Sequence, residues 1–185
     1  MLALTLEARA AATGIVRLVR GDPAWEQGFD FTPGGFVRSF IGPILALPLY
    51  VAAVALVEHA PSNAALWQAS LAHVLDAFGF PLLLAIISGP MRFKAGYTAF
   101  VIVNNWAALY LNVALLAASL LALLGPSGEQ AFSLCSLLLL CLSVLITWRI
   151  ARETLSRELA PVVLVVVLSL AWGAFADVGA GRLLS

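Results

Sequence analysis

Five apolar stretches, each long enough to cross a bilayer, divide this chain, and nine of its ten Lys and Arg residues fall on one side of them. That combination leaves few folds open. A membrane-crossing helix needs about 20 mostly apolar residues to cover about 30 Å of hydrocarbon. Inside hydrocarbon only a helix or a closed barrel satisfies its own backbone hydrogen bonds. The stretches run from about Phe36 to Val57, Ala64 to Ser88, Gly96 to Leu124, Ala131 to Ile150 and Pro161 to Gly179. Gly and Pro punctuate the first three links, and a charged run from Arg149 to Glu158 marks the fourth. The expected fold is all-α: an integral membrane bundle of five transmembrane helices over residues 33–185, preceded by an amphipathic interfacial segment over residues 1–32. Such short links make sequential spans antiparallel neighbours.

Composition agrees. The chain is 62% hydrophobic and 11% charged, with a mean hydropathy of +1.01, whereas soluble domains run near 25% charged. Net charge is zero, so no global field recruits nucleic acid, and none is expected as a partner. Cys135 and Cys141 lie six apart on one span and point in different directions, which makes a disulfide within that helix geometrically implausible and packing their expected role. No Cys or His cluster has metal-ligand spacing, and no cofactor is expected. The N-terminus lacks the basic, apolar and small-residue pattern of a signal peptide, so the first span is expected to be retained as an uncleaved anchor.

The basic residues orient the bundle. Arg9, Arg17, Arg20 and Arg38 precede or open the first span, Arg92 and Lys94 lie between the second and third, and Arg149, Arg152 and Arg157 lie between the fourth and fifth. Only Arg182 falls on the other side. The positive-inside rule then puts the N-terminus in the cytoplasm and the C-terminus outside, in a bacterial inner membrane. Dropping one span would scatter the basic residues over both sides.

Before the spans, Leu4, Ala8, Ala11, Ile15 and Leu18 follow helical spacing, with Arg9, Thr13, Arg17 and Arg20 opposite. Such a helix either lies in the headgroup plane, with Arg9, Arg17 and Arg20 on anionic lipid, or docks its apolar face on the bundle or a protein partner. Asp22-Pro23 ends it, and Trp25, Phe29, Phe31 and Phe36 suit a membrane interface. Thr32-Pro33 is a start signal for the first span, as N-cap and first helical residue. Pro43 and Pro48 predict a kink in that span.

Ionisable and amide groups inside the spans are costly and raise the question of a site. His73 and Asp76 share one face of the second span. Asn105 and Asn112 share a face of the third, with Asn104 beside them. At a rise of about 1.5 Å per residue, Asp76 and the Asn104-Asn105 pair fall at similar depth, near mid-membrane. Spans two and three are expected to form a tight hairpin, so that His73, Asp76, Asn105 and Asn112 meet in one polar cluster with Asn104 at its edge. Such a cluster serves as an interhelical hydrogen-bond clamp, a proton or solute site, or an interface with another subunit. Span five ends in Trp172-Gly173-Ala174-Phe175-Ala176-Asp177, where small residues favour close packing and Asp177 falls at the outer boundary.

No nucleophile, oxyanion segment or carboxylate set completes an active site, so an enzyme is not expected. The leading expectation is a non-enzymatic membrane protein, a scaffold or accessory subunit, whose partners are the lipid bilayer and other membrane proteins or further copies of itself. The alternative is a small transporter or channel subunit using the His/Asp/Asn cluster. Gly34-Gly35-Phe36-Val37-Arg38-Ser39-Phe40 ahead of a proline-containing first span resembles the Yip-type five-span family, and Asn105-Trp106 is similar to an Asn-Trp pair in small bacterial inner-membrane proteins. The resemblance implies a non-enzymatic five-span layout and carries no site residue.

Overall fold

The computed structural model describes residues 2–91 and 93–184. Arg92, one of the nine sorted basic residues, lies outside the described residues. The described chain is helical throughout, without strands: α1 (Leu2–Arg20), α2 (Pro33–Ser39), α3 (Ile41–Val57), α4 (Asn63–Ser88), α5 (Lys94–Ser119), α6 (Pro126–Thr154) and α7 (Leu159–Leu184). α2 with α3, and each of α4 to α7, is long and apolar enough to cross a membrane. This is a membrane protein built as an all-α bundle of five spans.

Local chemistry explains the boundaries. Gly21 adopts φ +76° and its N–H donates to Leu18 O at 3.0 Å, while Asp22 N donates to Arg17 O at 2.9 Å. That paired closure of α1 needs a left-handed residue, which glycine adopts without a steric penalty. Thr32 caps α2 through Gly35 N at 3.1 Å, with Pro33 in the first turn. Pro43 has no N–H to offer the Ser39 carbonyl, and the first span breaks there into α2 and α3 at Phe40. The fourth span starts at Pro126, earlier than the apolar run, because Pro at the first helical position loses nothing and Pro126–Gln130 can extend the helix. At its other end the same helix carries Arg149 and Arg152, so the charged run continues the span to Thr154.

The spans form a ring in the order α3–α4–α7–α6–α5, with α5 closing back on α3. This corrects the tight hairpin expected of spans two and three. α4 is drawn to α7, where Trp172 Nε1 donates to Leu75 O at 3.1 Å and the indole fills the notch left by Gly79. α5 is drawn to α3, where Gly42 brings the α3 backbone onto the Asn105 carbonyl; a Cβ at Gly42 would stand 2.5 Å from that oxygen. Consecutive α4 and α5 meet only near their linked ends, where the Tyr97 hydroxyl donates to Pro81 O at 3.1 Å and the Phe80 and Phe100 rings lie 6.2 Å apart.

α1 docks on the bundle. Ala11, Ile15 and Leu18 are buried against α5 and α6, and Tyr110 donates its hydroxyl hydrogen to Ala8 O. The apolar face is thus covered by protein instead of lipid, and of the three expected headgroup arginines only Arg9 and Arg20 stay exposed. Arg17 is held locally, 3.4 Å from both Ala24 O and Gln27 Oε1 and 3.8 Å from Asp22. Trp25 is 5% exposed, packing beside Phe29 and Phe31 at ring distances of 6.0 and 6.1 Å, so it is an internal residue and not an interface anchor. Arg38 clasps the N-terminal segment to the first span through Glu7 at 3.1 Å and through Asp30. The hydrogen bonds from Thr32, with Arg38 beside it, hold the Asp30 carboxyl below the usual carboxylate range.

The contacts between helices bring Arg20, Lys94, Arg149 and Arg152 toward one end of the ring, with Arg182 at the other. Gly21 lies against Arg149, and Gly96, two residues from Lys94, lies against the Thr154 backbone. Gly181 lies against Gln68 at the other end.

Candidate functional site

The ring is not filled. A cavity of about 370 Å³ lies inside it, and every spanning helix contributes to its wall. Tyr50 comes from α3, His73 and Asp76 from α4, Asn112 from α5, Ser136 and Ser143 from α6, and Gly173 and Asp177 from α7. A second cavity of about 410 Å³ shares Asp76, Asn112, Ser143 and Gly173 with it and extends to Asn104, Thr147 and Ser169. The two adjoin along these shared residues and together line a polar groove. Small residues of α7, Gly173 and Ala176, form part of its wall.

Asp76 stands at the middle of α4 and at the junction of the two cavities. It accepts no hydrogen bond from any described residue, and it is exposed, lining both cavities. Gly173 faces it; a Cβ there would sit 4.0 Å from its Oδ1. Because α4 and α7 run antiparallel, with Gly173 at Asp76 and Gly181 at Gln68, Asp177 falls about one helical turn from Asp76.

His73 is fixed from two sides. Its Nε2 lies 3.0 Å from Pro43 O, and a carbonyl only accepts, so Nε2 carries the hydrogen. Its ring stacks on Tyr50 with centroids 5.5 Å apart. Asn112 donates to Ala108 O at 2.9 Å, one turn back on its own helix, which leaves its side-chain carbonyl available to the cavity.

The structure therefore brings together His73, Asp76 and Asn112, with Asn104 at the far end of the groove. It does not bring Asn105 to them. Asn105 is 2% exposed and donates to Ser39 Oγ at 3.0 Å, whose own hydroxyl donates to Phe36 O at 2.7 Å. It is a clamp between α5 and the first span, created by the close approach at Gly42. Two site residues escaped the sequence reading. Asp177 was visible as a charge at a span end, but its register against Asp76 depends on the α4–α7 seam. Tyr50 carries no signal in an apolar run.

Among the described residues no buried polar side-chain atom lacks a hydrogen-bond partner. Asp76 and Asp177, both exposed and without a hydrogen bond among the described residues, line the groove. Its lining is rich in acceptors: two carboxylates, an amide carbonyl, serine hydroxyls and one ring nitrogen. No three metal-ligating side chains converge among the described residues. Comparison with family models, with curated proteins and with solved structures finds no match to this chain.

Proposed function

We propose that this membrane protein binds a small cation, a proton or a compact protonated amine in the groove at Asp76 and passes it along the ring, without covalent chemistry. The supporting observation is the unpartnered Asp76 carboxylate in a polar cavity walled by all five spans. A carboxylate held in a membrane is costly unless water or a cation satisfies it. Asp177 adds a second negative charge, and among the described residues no Lys or Arg lines either cavity to neutralise the pair. The volume, about 370 Å³, lies at the lower end of the range for small-molecule sites. A scaffold or accessory role ranks second, since dry clamps such as Asn105–Ser39 would serve it and an open acidic groove would not.

The end of the ring that gathers the basic residues faces the cytoplasm of a bacterial inner membrane in this reading, which leaves Asp177 toward the outer side of Asp76. The Yip-type layout bears on the order of spans and adds nothing to the site.

The test is electrical. Proteoliposomes adsorbed on a solid-supported membrane are pulsed in turn with sodium, potassium, methylammonium and a pH step. At least one pulse is expected to displace charge in the native protein, and Asp76→Asn, confirmed folded by its elution and helicity, is expected to abolish the signal. A folded native protein that is silent to the whole series, or an Asp76→Asn variant with undiminished currents, contradicts the proposal.

A further inference from the structure

A third cavity, of about 260 Å³, lies outside the ring where α1 crosses α5 and α6. Its walls are apolar, with Val16 and Val19 from α1, Ala107 and Ala114 from α5, and Leu142 and Ile146 from α6. Val16 and Leu142 leave it open to the surroundings of the bundle. Arg20 is its single charged lining residue. The Arg149 guanidinium reaches the end of α1, 3.6 Å from where a Cβ on Gly21 would stand, the residue after Arg20. Neither arginine has a hydrogen-bond or ion-pair partner among the described residues.

We propose that this groove is a specific site for one anionic glycerophospholipid, with an acyl chain between α1, α5 and α6 and its phosphate bridging Arg20 and Arg149. The chemistry at each end selects this occupant. A crevice between two spanning helices is filled from the hydrocarbon phase, and a chain of methylenes matches walls of Val, Ala, Leu and Ile. Two arginines at the same end of α1 favour an anion there, and a phosphate can accept from more than one guanidinium. A zwitterionic headgroup would carry its own cation into that pair. Ala107 and Ile146 also wall the polar groove, and Leu111 lines all three cavities. The bound chain would therefore lie one layer of side chains from Asp76. This inference does not depend on what the polar groove carries.

Native mass spectrometry of the full chain tests it. Detergent-solubilised protein is incubated with dioleoylphosphatidylglycerol, dioleoylphosphatidylcholine or glycerol phosphate, and retained adducts are counted. The native chain is expected to hold one phosphatidylglycerol with a preference of about tenfold or more over phosphatidylcholine, given two basic contacts. Arg20→Gln with Arg149→Gln is expected to remove the preference while leaving weak, equal retention of both lipids. Ala114→Phe, which narrows the groove and leaves the arginines in place, is expected to reduce retention of both lipids. Equal retention of the two lipids by the native chain overturns the proposal. So does a preference that survives Arg20→Gln with Arg149→Gln, retention undiminished by Ala114→Phe, or glycerol phosphate bound as firmly as the whole lipid.

Discussion

Asn105 and Asn112 lie seven residues apart on one face of α5, and they have opposite fates. At Asn105 the face is sealed: Gly42 admits the α3 backbone, Ser39 accepts the amide hydrogen, and the residue is 2% exposed. At Asn112 the same face opens on the central cavity, and the amide finds its partner only one turn back on its own helix. The same side chain is a structural clamp in one place and a wall of a polar groove in the other. What differs is the neighbouring helix. A glycine across the seam removes the space for water at one level, while a ring of five helices with small residues on α7 keeps that space at the next.

The strongest way to break the contrast is to fail to close the sealed end. Gly42→Leu should force the α3–α5 seam apart, because its Cβ would meet the Asn105 backbone oxygen at 2.5 Å. A loss of about 3 kcal/mol, at the upper range for overpacking, is expected in reversible detergent unfolding. A smaller effect is expected of Asn105→Ala, about 1–2 kcal/mol for one interhelical hydrogen bond in a membrane, read by the same unfolding. Asn112→Ala should then separate the two roles. Its stability cost is expected within about 0.5 kcal/mol, but the charge displacement that depends on Asp76 should weaken. Equal unfolding costs for the two asparagines would erase the contrast.

The five spans, their approximate ends and the sorting of basic residues were legible in the sequence, because length, hydropathy and charge are local properties. So were the Thr32 cap and the stop at Asp22-Pro23. His73 and Asp76 could be paired from helical spacing alone. What could not be read was which helix each face meets. The sequence places α4 beside α5 by connectivity, whereas Gly79 and Trp172 commit α4 to α7, and Gly42 commits α5 to α3. Those two seams decide that Asn105 is excluded and that Asp177 and Tyr50 join the site. Notch and filler lie nearly one hundred residues apart, and glycine in an apolar run gives no sign of its partner.

The smallest expected effect concerns the docked N-terminal segment. Asp30 has a lowered pKa from its Thr32 hydrogen bonds and Arg38. Its contribution to docking is therefore full above the unfolded value of about 3.9 and is lost as pH falls through the lower folded value. Hydrogen exchange of α1 amides should change little between pH 7 and 5 after correction for intrinsic rates. Protection should begin to fall only below about pH 4, and Asp30→Asn should remove that step.

The central claim is that water and small cations reach the groove at Asp76 and do not reach the clamp. In a background with Cys135→Ala and Cys141→Ala, Ser143→Cys places a thiol on the groove wall and Ser39→Cys places one in the clamp, each a near-isosteric change. With the positively charged, water-soluble reagent methanethiosulfonate ethylammonium applied to protein in nanodiscs, the account predicts rapid modification at Ser143→Cys and none at Ser39→Cys. It also predicts slower modification of Ser143→Cys by the negatively charged sulfonate analogue. A thiol at position 143 that stays unmodified while the protein is folded, or one that reacts equally with both reagents, would contradict the account.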